Sequence, residues 1–189
     1  MPASSPSPAM PDDGTVQEID GRYVLRFERR FAHPVERVWD ALTRPERLTE
    51  WFGASEVELE LVEGGRFYTR TTGPSELVDA IIAETGANAD ALVAHDTVLR
   101  VEPPFVFEHT FGGAPTSIAR WELQPDGDGC MLVLTHTEPV GFAAADAPRD
   151  LAGWHALLEL LGHALDGRPV VWSRRRWEQH RDRYAAKAG

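Results

Sequence analysis

The stretch Asp150–Gly167, DLAGWHALLELLGHALDG, constrains the fold more than any other part of the chain. Leu151, Trp154, Leu158, Leu161 and Leu165 recur at three- and four-residue steps, the apolar stripe of an amphipathic helix. Leu157 and Leu160 widen that stripe beyond what a lightly packed surface helix needs. Asp150 suits an N-cap, and Gly167 followed by Pro169 suits a stop. At 1.5 Å per residue such a helix is about 25 Å long, enough to cross a whole small sheet.

The preceding residues supply that sheet. Residues 22–33, RYVLRFERRFAH, alternate with Tyr23, Leu25, Phe27 and Phe31 on one face and Arg26, Glu28 and Arg30 on the other. Pro34 and Pro45 then open two short helices, VERVWDALT and PERLTEWF. From Ser55 the period returns to two: Val57, Leu59 and Leu61 face inward and Glu56, Glu58 and Glu60 face solvent. Gly64-Gly65 predicts a tight hairpin turn into Arg66–Thr71. Residues 73–94 are open to two readings, a short helix from Ser75 to Glu84 ended by Gly86, or a bent edge strand. Further strands are expected at His95–Val101, Phe105–Phe111, Thr116–Leu123 and Cys130–Thr137, with Phe105, Phe107, His109 and Phe111 sharing a face. A last helix spans Val171–Tyr184. Hairpin succession with one long terminal helix implies an α+β chain whose antiparallel sheet is covered on one face.

Composition bounds what such a chain can do. A formal net charge of −11 disfavours non-specific binding to nucleic acid or to an anionic membrane surface. The single Cys130 excludes an internal disulfide and fits a reducing, cytoplasmic setting. No apolar run reaches the length of a membrane span. Residues 1–18 read as a disordered Pro/Ser-rich leader, and 19–189 as one domain.

The segments RRFAHPVERVWDALTRPERLTEWFG (29–53), EGGRFY (63–68), VLRVEPPFVFEHTF (98–111), WELQPDGDGCMLVLTHT (121–137) and GWHALLELL (153–161) together resemble the START-like (SRPBCC) superfamily. Within it the chain is similar to the family named for the C-terminal domain of the heat-shock-protein-90 ATPase activator. The resemblance implies a helix-grip fold, a curved antiparallel sheet wrapped around the C-terminal helix with an apolar cavity between them. Residues 74–93 are longer than the equivalent hairpin of typical relatives and suit a lid-like insertion. Eukaryotic activators carry a separate chaperone-gripping N-terminal domain, whereas about 20 low-complexity residues precede the first expected strand here.

The sequence contains no Gly-rich phosphate loop, no Cys-x-x-Cys and no His-Glu-x-x-His. The seven histidines include no pair at local metal-site spacing, and His155 and His163 fall about 80° apart around a helix, so neither a metal nor a cofactor is expected. No catalytic residue is assigned, although Glu108, Glu122 and Asp96 lie on strands near His109. The expected activity is binding of a small hydrophobic or aromatic molecule. Phe107, Phe111, Trp121, Trp154, Leu158 and Leu161 would wall the cavity, with His109 and His155 as polar handles. The alternatives are an enzyme of the polyketide cyclase or hydratase type, as some superfamily members are, and a chaperone-interaction module. Exposed strand edges and the 74–93 segment are compatible with a homodimer. Cys130 reads as an inert strand residue, and the arginine-rich SRRRWEQHRDR as a solvated helix face.

Overall fold

The computed structural model describes residues 12–73, 75–86, 88 and 92–188. In chain order the elements are β1 (Thr15–Ile19), β2 (Arg22–Phe31), α1 (Val35–Thr43), α2 (Pro45–Trp51), β3 (Glu56–Leu59), β4 (Arg66–Arg70) and α3 (Glu76–Thr85). Then follow β5 (Val93–Glu102), β6 (Val106–Phe111), β7 (Ala114–Asp126), β8 (Gly129–Thr137), α4 (Ala147–Leu165) and α5 (Arg174–Ala188). The eight strands form one sheet in the order β1-β2-β8-β7-β6-β5-β4-β3, with every adjacent pair antiparallel. This is the helix-grip fold, with α4 on the concave face.

Register explains the grip. Phe27, Leu134, Trp121 and Phe107 stand opposite one another across four central strands, and Leu25, His136, Ala119, His109 and Val98 form the next row. Leu151, Leu158, Leu161 and Leu165 of α4 are buried over these rows, as is Trp154. Burying each such side chain contributes about 1.5–3 kcal/mol, far more than the ~1 kcal/mol cost of either helical glycine, Gly153 or Gly162. Packing therefore decides this helix. It starts at Ala147 rather than at Asp150, with Pro148 in its first turn where no intrahelical N–H is lost. It ends in a Schellman motif: Gly167 takes φ 67°, its N–H bonds Ala164 C=O and the Arg168 N–H bonds His163 C=O.

Three local outcomes differ from the sequence expectation, and one open reading is decided. Residues 15–18, inside the stretch read as leader, form edge strand β1 together with Ile19. The cause is a two-residue hairpin at Asp20 and Gly21, with φ of 52° and 74°, the type I′ geometry that Asp-Gly favours; residues 1–11 lie outside the described ones. Gly64-Gly65 closes a longer loop between β3 and β4. A side chain at 65 would meet Glu60 C=O at 2.1 Å, so that loop requires glycine there. Phe105 precedes β6 and is exposed, leaving Phe107, His109 and Phe111 to share the inward side. The open segment contains a helix: Ser75 Oγ accepts from Val78 N–H at 3.2 Å, and Gly86 stops α3 at φ 68°.

Candidate functional site

The concave face of the sheet is filled. Trp51 packs edge-on against Trp121 (6.0 Å between ring centroids) and Trp121 against Trp154 (5.5 Å). Phe67 meets Phe107 at 6.0 Å and His109 at 4.8 Å. Of the eight residues expected to form the cavity, Phe107, Trp121, Leu158 and Leu161 belong to this packed core. His109, 1% exposed, is also fully engaged there: its Nδ1–H donates to Thr110 C=O (2.6 Å) and its Nε2 accepts from the Trp121 indole (3.2 Å). Burial holds its pKa down at about 4, so the ring is neutral and not free for a ligand.

One open space lies to the side of this core, where α3 and α5 roof the N-terminal half of α4. A cavity of about 340 Å³ is bounded there by two helix faces of identical spacing. From α3 come Leu77, Ala80, Ile81 and Glu84; from α4 come Asp150, Gly153, Trp154 and Leu157, with Arg149 beside them. Phe111 and His136 close it from the sheet, Phe52 and Gly53 from the end of α2, and Trp172 and Trp177 from the last connection and α5. Phe111 and Trp154 are thus the two expected residues that line it, packed against each other at 4.7 Å. A side chain built at Gly153 would meet nothing within 4 Å, so the missing Cβ is part of the space. The α3 face was legible as a three-and-four spacing in the undecided segment. Trp172 and Trp177 carried no local signal, because the path of the chain after α4 sets their place.

His136, 3% exposed, borders this cavity with both nitrogens engaged. The Trp154 indole N–H donates to Nδ1 (2.9 Å), which leaves the ring proton on Nε2, 2.8 Å from Ser117 Oγ. Glu138 Oε1 lies 3.2 Å from Nδ1 and, among the described residues, this buried oxygen has no hydrogen-bond partner. The three carboxylates considered near His109 are committed elsewhere. Glu108 and Glu122 each hold Arg120 at 3.0 Å, and Asp96 accepts from Thr110 Oγ1 and Gly113 N–H, both at 3.0 Å, bracing the turn before β7.

His155 points away from the cavity, toward α5. Its ring stacks on His180 at 4.0 Å and 25°. Tyr184 Oη accepts from Gly14 N–H (2.8 Å) and so donates to His155 Nδ1 (2.8 Å), which places the ring proton on Nε2, 3.7 Å from Glu159 Oε1. His180 repeats the pattern, with Arg183 donating to Nδ1 (3.1 Å) and Nε2 3.3 Å from Glu159 Oε2. Burial, then the charges of His180 and Arg29, hold His155 down at about 3. The ligand atoms of His155, Glu159 and His180 lie within 4.8 Å of one another, a donor set of the kind zinc takes. Its surroundings oppose a cation. Metal-bound histidines donate their outer N–H to an acceptor, whereas here both outer nitrogens receive protons from Tyr184 and Arg183. Buried Arg29, with Nη2 unpartnered among the described residues, adds positive charge beside them. The cluster is a hydrogen-bonded clamp joining α4, α5 and residues 13–14.

Fold and cavity define a helix-grip protein of the START-like class. The chain matches the family model described as "Activator of Hsp90 ATPase homolog 1-like protein" over residues 32–166, and it belongs to that family. It is similar to the protein encoded by BPP1335 from Bordetella parapertussis, at 33% identity and TM-score 0.66 over 92% of this chain and 90% of that one. CalU16 from Micromonospora echinospora shares the fold at 24% identity and TM-score 0.63, covering 92% of this chain and 94% of that one. EF2215 from Enterococcus faecalis shares it at 19% identity and TM-score 0.67, over 93% and 90% respectively. A search of the curated proteins finds no match. Among the described residues no helix is long and apolar enough to cross a membrane.

Proposed function

We propose that this protein binds a small, largely hydrophobic or aromatic molecule in the cavity between α3, α4 and α5. The observation that carries the reading is Gly153, a mid-helix glycine whose absent side chain opens onto a 340 Å³ space walled by Trp, Phe, Leu and Ile. That size suits a small ligand. A molecule burying about 200–300 Å² of apolar surface there gains roughly 5–7.5 kcal/mol before association costs. The cyclase reading needs a proton-transfer group open to the ligand. The histidines do not supply one, since His109 and His155 face elsewhere and His136 has both nitrogens engaged. The chaperone reading rests on the family's description alone.

The test is titration with N-phenyl-1-naphthylamine, a neutral dye that brightens in apolar surroundings. Saturable one-to-one binding is expected for the native chain. Gly153→Leu, which adds a better helix former in open space, is expected to weaken it at least about tenfold with an unchanged circular dichroism spectrum. Equal binding by the variant, or none by the native chain, overturns the reading.

A further inference from the structure

Resting on that cavity reading, we infer that the ligand is a cation: a hydrophobic amine or quaternary ammonium whose apolar part enters the cavity and whose charge stays at the rim. The cavity offers aromatic faces inside and surplus carboxylate at its edge. Glu84 and Asp150 are its lining acids, and Arg149 is the one arginine or lysine in the lining among the described residues. Arg149 is already divided between Asp150 (2.7 Å) and Asp146 (3.5 Å) and lies in the field of Glu138. Arg181, which pairs with the lining Glu84, is divided between it (3.6 Å) and Asp182 (3.0 Å). Two arginines thus pair with four carboxyl groups here, of which Glu84 and Asp150 line the cavity, inside a chain whose net charge is −11.

An anionic ligand would have to displace an acid from Arg149 and enter against that surplus. The partial positive charge at the start of α4 does not reverse the balance, because Asp146 and Asp150 already stand on its first turn. A cation meets no such barrier, and its charge is attracted by the faces of Trp154, Trp172 and Trp177. Trp177 already holds the Arg181 guanidinium 5.1 Å from its ring centre. A neutral ligand would gain the aromatic wall and nothing from the acids.

Three probes sharing one ring system separate these cases: 1-naphthylmethylammonium, 1-naphthylmethanol and 1-naphthoate, titrated calorimetrically into the full chain at pH 7.5. The expected order is ammonium tightest, alcohol next, carboxylate weakest, with roughly tenfold or more between the extremes. In Glu84→Gln/Asp150→Asn, and in 1 M salt, that ratio should fall severalfold. Glu84→Gln alone, an exposed change on α3, gives the same reading should the double variant fold poorly. Carboxylate binding as tightly as ammonium, or a ratio unmoved by both the acid-to-amide changes and salt, overturns the inference. Alcohol binding without charge ordering leaves the cavity reading standing while this one fails; binding of none of the three removes both.

Discussion

Gly153 sits two turns into the longest helix, where glycine is the least favourable residue after proline. A glycine there lowers helix stability by roughly 1 kcal/mol relative to alanine, and α4 accepts this because its leucine stripe contributes several times as much. Gly153→Ala is therefore expected to stabilise the chain by about 0.5–1 kcal/mol in urea titration, because the added methyl enters open space. Tyr184 shows the opposite balance. Its hydroxyl is both acceptor for Gly14 N–H and donor to His155 Nδ1, so Tyr184→Phe leaves the Gly14 N–H unmet and His155 Nδ1 with only Arg183 at 3.5 Å. The expected cost is about 1–3 kcal/mol, accompanied by faster hydrogen exchange at the Gly14 amide. A loss near zero would show that water replaces the hydroxyl at both partners. The same clamp shows where sequence reasoning reaches its limit. Arg29 stands in phase with Leu25 and Phe27, so its inward position was legible from alternation. The meeting of His155 with His180 was not, since it depends on α5 turning back antiparallel along α4, which no local spacing encodes.

Among the elements, α3 is held chiefly by its ends. Val78 and Ala80 are its fully buried apolar residues, while Ser75 and Gly86 supply both caps. Ser75→Ala is expected to remove about 1 kcal/mol from this helix. The loss should appear as faster exchange of the α3 amides, with the global unfolding midpoint nearly unchanged, because the main core lies under α4. Equal loss of protection in α4 would show that the two helices open as one unit. The legibility of each element followed its share in that core. Residues 22–33 and the α4 stripe read clearly because one period persisted over many residues and one face was buried throughout. Residues 73–94 admitted two readings because the three-and-four spacing of Leu77, Ala80 and Ile81 is short and only half buried, too brief to exclude a bent strand. β1 carries no periodic signal because its five residues are all exposed and bury no face; the Asp-Gly pair after it is its one local mark. Of the expected cavity wall, Phe111 and Trp154 line the cavity and the others pack elsewhere. Inward phase marks residues that leave water, and most of these fill the core, so phase alone does not separate a lining residue from a packing one.

At the scale of the whole molecule, the two deeply engaged histidines tie stability to pH. His109 and His155 have folded pKa values of about 4 and about 3, well below the ordinary 6.5, because burial penalises the charged ring. Above pH 6.5 both rings are neutral in folded and unfolded chains alike, and their contribution is fully present. As pH falls from 6.5 toward 4 the unfolded chain takes up protons that the folded chain refuses, so stability declines and levels off only below the folded values. For fully buried His109 the integrated loss is about 3 kcal/mol. Asp13, Glu159 and Asp166 have depressed values, so their contributions disappear only at lower pH, as these acids protonate. Between pH 6.5 and 5 the histidines therefore set the slope, opposing any relief from partial neutralisation of the −11 chain. Urea midpoints should fall steadily over that window. His109→Asn, which keeps a donor toward Thr110 C=O and removes the titrating ring, should start lower and lose less with acidification. An unchanged slope in that variant would mean that the protons enter elsewhere and that the β6–β7 row under α4 is not where acid first acts.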